Sequence, residues 1–231
     1  VSGDGYSLGA SGGYVRTDGI SAYAAGTEPD GFRQWHAALR GRAELASGLW
    51  LNAVGRYADS KVDFDGYPAP NYTFADTPEY QTTRQGSGRV GLDYTGSGLN
   101  LAAGLALSDT RRAYFDPTYG AAPNFETQGR SWRADVKGRA DLSDAVVLDF
   151  GADSEWTRFS TTFDAQQDAR LASGHALLGY HGAAVHLTGG VRLDDSDRFG
   201  SHWTFGANGA VELTDDLRLR ASFGEGFKAP T

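Results

Sequence analysis

The chain has 231 residues, no cysteine, no methionine and a formal net charge of −8. These values exclude a disulfide framework and thiolate metal sites, and the acidic balance argues against nucleic acid as a partner. Aromatic residues make up 12%, too many for low-complexity disorder, and no run of about 18 apolar residues is present to form a membrane-spanning helix.

The first residues, VSGDGYSLG, already read as a strand. With no initiator methionine and no signal peptide, the chain is expected to be a piece of a longer protein. Next, Trp35, Ala37, Leu39, Gly41, Ala43 and Leu45 fall on one parity, against Gln34, His36, Arg40, Arg42 and Glu44 on the other. The split recurs at Leu99, Leu101, Ala103, Leu105 and Leu107 against Asn100, Gly104 and Ser108. It is sharpest where Trp132, Ala134, Val136, Gly138, Ala140 and Leu142 oppose Arg133, Asp135, Lys137, Arg139 and Asp141. Further strands carry Val146, Leu148, Phe150 and Ala152, then Val185, Leu187, Val191 and Leu193, then Trp203, Phe205, Ala207, Val211 and Leu213, and finally Leu217, Leu219, Ala221 and Phe223. Between 169 and 181, His175 and Leu177 blur the pattern, and Ala176, Leu178 and Tyr180 are assigned to the apolar face.

Period-two alternation over strands this long, with one wholly polar face, predicts an all-β fold: an antiparallel transmembrane β-barrel with its apolar face toward lipid and its polar face toward a hydrated lumen. Turns near 46–48, 96–98, 141–145, 181–183 and 213–216 are short, whereas 19–30, 63–79, 114–128, 159–168 and 195–201 are read as longer loops. Short turns belong to the periplasmic side and long loops to the extracellular side. Trp35, Trp132, Trp156 and Trp203 lie beside the long loops on the apolar parity, as an interfacial aromatic girdle would. About eleven strands are counted. That odd number leaves unpaired edges, so the remaining strands of a larger barrel are expected outside this sequence.

Residues 192–231, RLDDSDRFGSHWTFGANGAVELTDDLRLRASFGEGFKAPT, resemble the mid-barrel signature of TonB-dependent outer-membrane receptors, and residues 17–34, TDGISAYAAGTEPDGFRQ, resemble an early barrel loop of their cobalamin receptor group. The signature residues are Arg192, Asp194, Phe199, Gly200, Phe227, Lys228 and Pro230. The resemblance implies about eleven strands of a 22-stranded barrel in the bacterial outer membrane, closed by a plug domain that is absent from this sequence. It further implies active import of a scarce, bulky nutrient, cobalamin or another corrinoid or a ferric siderophore. The implied partners are the TonB complex through the plug, the lipid bilayer with its lipopolysaccharide, and the small-molecule nutrient. A passive porin-like channel is the alternative.

Ligands of that size meet the extracellular loops first. The candidate ligand-binding residues are therefore the loop aromatics Tyr67, Tyr72, Phe74, Tyr114, Phe115, Tyr119 and Phe125. Calcium is a possible cofactor, since relatives in the cobalamin group order their loops with it; Asp63, Asp65 and Asp76 are its candidate ligands, against the ordinary reading of solvated loop acids. No catalytic site is expected. The five histidines, His36, His175, His181, His186 and His202, are scattered, and neither a His-Glu-x-x-His nor a Gly-x-Ser-x-Gly motif occurs.

Overall fold

A computed structural model describes residues 1–214 and 216–227. Its strands are β1 (Ser2–Gly3), β2 (Tyr6–Thr17), β3 (Phe32–Ala46), β4 (Leu49–Asp63), β5 (Tyr80–Gly96), β6 (Leu99–Phe115), β7 (Phe125–Ser143), β8 (Val146–Thr161), β9 (Gln167–His181), β10 (Val185–Ser196), β11 (Gly200–Thr214) and β12 (Leu217–Gly224). Each pairs antiparallel with its neighbours in sequence, giving a single sheet in the order β1 to β12. The expected eleven strands correspond to β2–β12, and β1 is a two-residue addition at the edge.

The registers carry one parity through the whole sheet. Leu39 lies opposite Gly55, Val90 opposite Leu105, Leu105 opposite Ala134, and Leu148 opposite Leu178. Leu178 and Tyr180 thus share the apolar face with Leu148 and Val146, which resolves the blurred segment as assigned. Leu177, opposite Asp149, takes the other face.

This apolar face packs against no second layer. Among the described residues only Ala113 and Val147 are buried hydrophobics, while Leu105 is 68% exposed and Leu39, Leu178 and Phe205 are exposed as well. The chain exposes 15281 Å², where a compact globular protein of this mass would expose about 10,000 Å². A water-soluble sandwich would have buried one face of each sheet in the other. Here the bilayer must supply the missing apolar contact, which is what a barrel wall requires.

Most strands run longer than a crossing needs. β7 has 19 residues and β5 and β6 have 17 each, against the 9–11 or so that span the hydrocarbon. The excess extends the wall upward on the side of loops 18–31, 64–79 and 116–124. The opposite turns are tight, and Gly5, Gly48 and Gly98 occupy them with positive φ. Long and short connections do not alternate all the way along, however. The β8–β9 connection spans only 162–166 and the β10–β11 connection only 197–199, because strand pairing continues to Ser196 opposite Gly200 and Ser201 donates a hydrogen bond to Asp195 at 2.5 Å.

Candidate functional site

Above the wall, loops 18–31 and 64–79 are tied together by carboxylates. Ser21 Oγ lies 3.1 Å from both Asp65 and Asp76, the Tyr23 amide donates to Asp65 at 2.7 Å, and the Thr27 amide donates to Asp76 at 2.9 Å. Within loop 64–79 the chain folds back on itself through a bridge between Gly66 and Ala75. Burial pushes the Asp65 carboxyl up, but hydrogen bonds from the Tyr23 amide, Ser21 and the Thr77 amide outweigh it and hold the group below its ordinary range. Glu28 moves the other way: desolvation, then the negative charges of Asp76, Asp65, Asp30 and Asp63, raise it.

Of the calcium candidates, Asp65 and Asp76 are brought together around Ser21, whereas Asp63 is ion-paired with Lys61 at 2.6 Å. Among the described residues no group of three or more histidines, aspartates or glutamates could hold a metal ion. Calcium takes six to eight oxygens; Asp65 and Asp76 share these loops with Glu28 and Asp30, whose charges act on one another.

The aromatic candidates separate into four settings. Tyr67, Phe74 and Tyr23 form a loop cluster, with ring centroids 5.3 Å apart for Tyr67–Phe74 and 6.1 Å for Tyr23–Phe74. Tyr114 and Phe125 lie on the inward parity, opposite each other, in a row that runs Phe64, Tyr114, Phe125, Phe163 at spacings of 6.4, 5.9 and 5.7 Å. Phe115 turns outward and stacks on Tyr80 at 4.6 Å, so it belongs to the outer wall and not to the mouth. Tyr72 and Tyr119 stand exposed at the loop tips. Phe64 and Phe163 complete the inward row. Residue order alone does not single them out, because neither falls within a readable alternation.

Below this mouth the inward face carries a transverse row of charge. Gly104, Asp135, Asp153, Ser173, Asp194 and His202 lie opposite one another on successive strands. Asp135 facing Asp153 would repel, and arginines supply the compensation. Arg89 holds Asp135 through two hydrogen bonds, Arg133 lies 3.3 Å from Asp153, and Arg192 grips Asp194 from 2.7 Å while Ser173 donates to the same carboxylate at 2.6 Å.

The signature residues meet at the end of this row. His202, opposite Asp194, stacks on Phe227 with ring centroids 3.8 Å apart, and its Nε2 lies 3.1 Å from the carbonyl oxygen of Phe199. Gly200 adopts φ +72° to close the turn beneath Phe199. Residues spread over 192–227 thus form one cluster on the inward face, and His202 and Ser173 are members that the sequence reading did not assign to it. Lys228 and Pro230 lie outside the described residues.

A family model described as TonB dependent receptor-like, beta-barrel, matches residues 2–231. The chain belongs to that family. It is 27% identical over 234 residues to the vitamin B12 transporter BtuB of Photobacterium profundum, a match covering 94% of this chain and 36% of the relative. The fold is shared with the siderophore receptor PirA from Pseudomonas aeruginosa (TM-score 0.74, 16% identity, 99% of this chain and 38% of that one). It is also shared with a mutant of the ferric enterobactin receptor PfeA from the same organism (TM-score 0.69, 18% identity, 98% and 40%). The chain therefore spans a little over a third of the length of the relatives it matches. Membership fixes the setting: this sheet is wall of an outer-membrane β-barrel, with Trp132 opposite Trp156 on its apolar face. The relatives named are transporters and receptors, in keeping with a non-catalytic wall.

Proposed function

We propose that this chain forms part of the wall of an active importer that takes up a scarce, bulky nutrient, a corrinoid such as cobalamin or a ferric siderophore, and moves it to the periplasm with energy passed through TonB. The observation that carries this reading is the inward face, where an aromatic mouth opens above the arginine–aspartate row. A plug seated in the lumen needs charged partners on the wall, and Arg89, Arg133 and Arg192 with their aspartates provide them at one level. On this proposal the plug and the strands completing a 22-stranded barrel belong to the rest of the protein. The family match and the signature cluster around His202 favour it over a passive porin-like channel, whose lumen could also be charged.

The mouth supports an aromatic or macrocyclic ligand. Tyr67, Phe74, Tyr114 and Phe125, with the exposed Tyr72 and Tyr119, offer ring faces for stacking. The deciding experiment is growth of a deletion strain under cobalamin limitation and under iron limitation, with complementation by the full-length gene in the presence and absence of TonB. A defect under one limitation, rescued only when TonB is present, is the expected result. Rescue without TonB would place the protein among passive channels.

A further inference from the structure

Two of the five histidines, scattered along the sequence, become neighbours in the sheet. His181 ends β9 and His186 is the second residue of β10. They lie directly opposite each other across the tight turn at 182–184, with ring centroids 5.8 Å apart and ring planes inclined at 53°. Register explains the approach. The Gly182 amide donates to the Val185 carbonyl, and the His181 amide donates away from β10, to the Ala145 carbonyl. His181 and His186 are therefore a non-hydrogen-bonded pair, the kind whose side chains come closest across an antiparallel ladder.

Both residues share the parity of Arg192 and Asp194 and so belong to the inward, hydrated face. Their flanks leave the rings to each other. Val147 lies opposite Gly179 on the β8 side, and Ala210 lies opposite His186 on the β11 side. The acid next along that side, Glu212, is 4.0 Å from Arg218. Glycine makes room as well: a Cβ on Gly179 would lie 3.2 Å from His181 Nε2 and 3.8 Å from Thr188 Oγ1. The other three histidines are placed differently. His36 lies over Gly13, His175 lies over Gly151, and His202 stacks on Phe227.

Two facing imidazoles in water are a chelate. Metal–nitrogen bonds of about 2.0–2.1 Å put the centres of two imidazoles on one ion about 5–6.5 Å apart, and 5.8 Å falls inside that range. Imidazole nitrogen favours copper, nickel and zinc, whereas calcium and magnesium take oxygen.

We propose that His181 and His186 form a bidentate site on the inward face for a divalent transition-metal ion, copper, nickel or zinc, with water in the remaining positions. An ion there joins β9 to β10 beside their turn. With two protein ligands it binds less tightly than the closed four-ligand centres of structural zinc. The site is separate from the acidic loops and from the arginine–aspartate row, and it does not depend on the import reading.

Copper is the probe, because it binds nitrogen sites most tightly among these ions and its spectrum counts its nitrogen ligands. The full-length receptor, without an affinity tag and folded in detergent, is titrated with Cu²⁺ and read by electron paramagnetic resonance with electron spin-echo modulation. The difference between wild type and H181N/H186N isolates the site from any other copper bound by the protein. One ion per receptor with two imidazole nitrogens is the expected difference. H181N and H186N should each weaken binding at least about tenfold, while H36N and H175N leave it unchanged, the heat-modifiable band on electrophoresis showing that every variant is folded. Excess Zn²⁺ or Ni²⁺ should displace the copper, and equal concentrations of Ca²⁺ or Mg²⁺ should not. A difference spectrum with one imidazole nitrogen or none overturns the proposal. So does a two-nitrogen signal that survives in H181N/H186N, or displacement by calcium as readily as by zinc.

Discussion

Arg89 on β5 reaches Asp135 on β7 by passing over Gly104 of the intervening strand: one of its two hydrogen bonds measures 2.8 Å, and a Cβ on Gly104 would collide with the guanidinium. The glycine is therefore what allows the ion pair to span a strand. G104V should evict Arg89, leave Asp135 facing Asp153 without its arginine, and destabilise the barrel by about 1–3 kcal/mol. G55V is the control, because nothing lies within 4 Å of that position. The thermal midpoint of the heat-modifiable band of the full-length receptor on electrophoresis measures both, and a similar small shift for the two variants would contradict the spanning role.

Gly200 makes a different demand. No heavy atom lies within 4 Å of a Cβ built there, but its φ is +72°, so strain and not space sets the cost. Asparagine tolerates this conformation better than alanine, and β-branched residues tolerate it least. The loss of stability should rise in the order G200N, G200A, G200V, the alanine variant costing about 1 kcal/mol. A flat series in chemical denaturation would show that the turn relaxes.

Leu105 and Ala102 sit three residues apart on β6 but on opposite faces: Leu105 lies opposite Val90 and Ala134, Ala102 opposite Asp93 and Lys137. An arginine introduced on the lipid side near the bilayer centre costs about 2–4 kcal/mol. In the hydrated lumen, beside Asp93, it should cost under about 1 kcal/mol. L105R and A102R, compared by folding into vesicles, read the two faces directly. Equal costs would mean that the apolar face does not meet hydrocarbon.

The tie between loops 18–31 and 64–79 should respond to pH in two stages of opposite sign. Glu28 and Glu79 are raised, chiefly by desolvation; their ionised forms cost loop stability at neutral pH, and that cost is relieved as pH falls through the raised values toward their ordinary range. Asp65 is lowered by its hydrogen bonds despite burial; its contribution is complete above the ordinary aspartate range and is lost as pH falls through the depressed value. Protection factors from hydrogen exchange at Tyr23 and Thr77, corrected for intrinsic rates, should rise slightly on mild acidification and then collapse. D65N should abolish the collapse.

Much of the wall was legible from residue parity, and for a physical reason. Side chains alternate across a strand, so Trp132 to Leu142 against Arg133 to Asp141 states the two faces without reference to any partner, and the turns between strands follow from where the alternation breaks. The same logic placed Leu178 and Tyr180 on the lipid face. It does not reach Phe115, whose neighbour Tyr114 faces inward: composition reads both as loop aromatics, whereas β6 continues through them and sends them to opposite sides. The connection after β10 is shorter than composition suggests for the same reason, since pairing extends to Ser196 opposite Gly200.

By itself, the sequence determined the fold class, the two faces, the glycine turns and the family, because each depends on residue order within one or two strands. The tertiary structure decided which residues meet across strands: Arg89 with Asp135 over Gly104, His202 with Phe227, Asp65 and Asp76 with Ser21 and not with Asp63, and His181 with His186. Those contacts depend on register. A shift of one residue between strands would leave the alternation within every strand unchanged and abolish each of them.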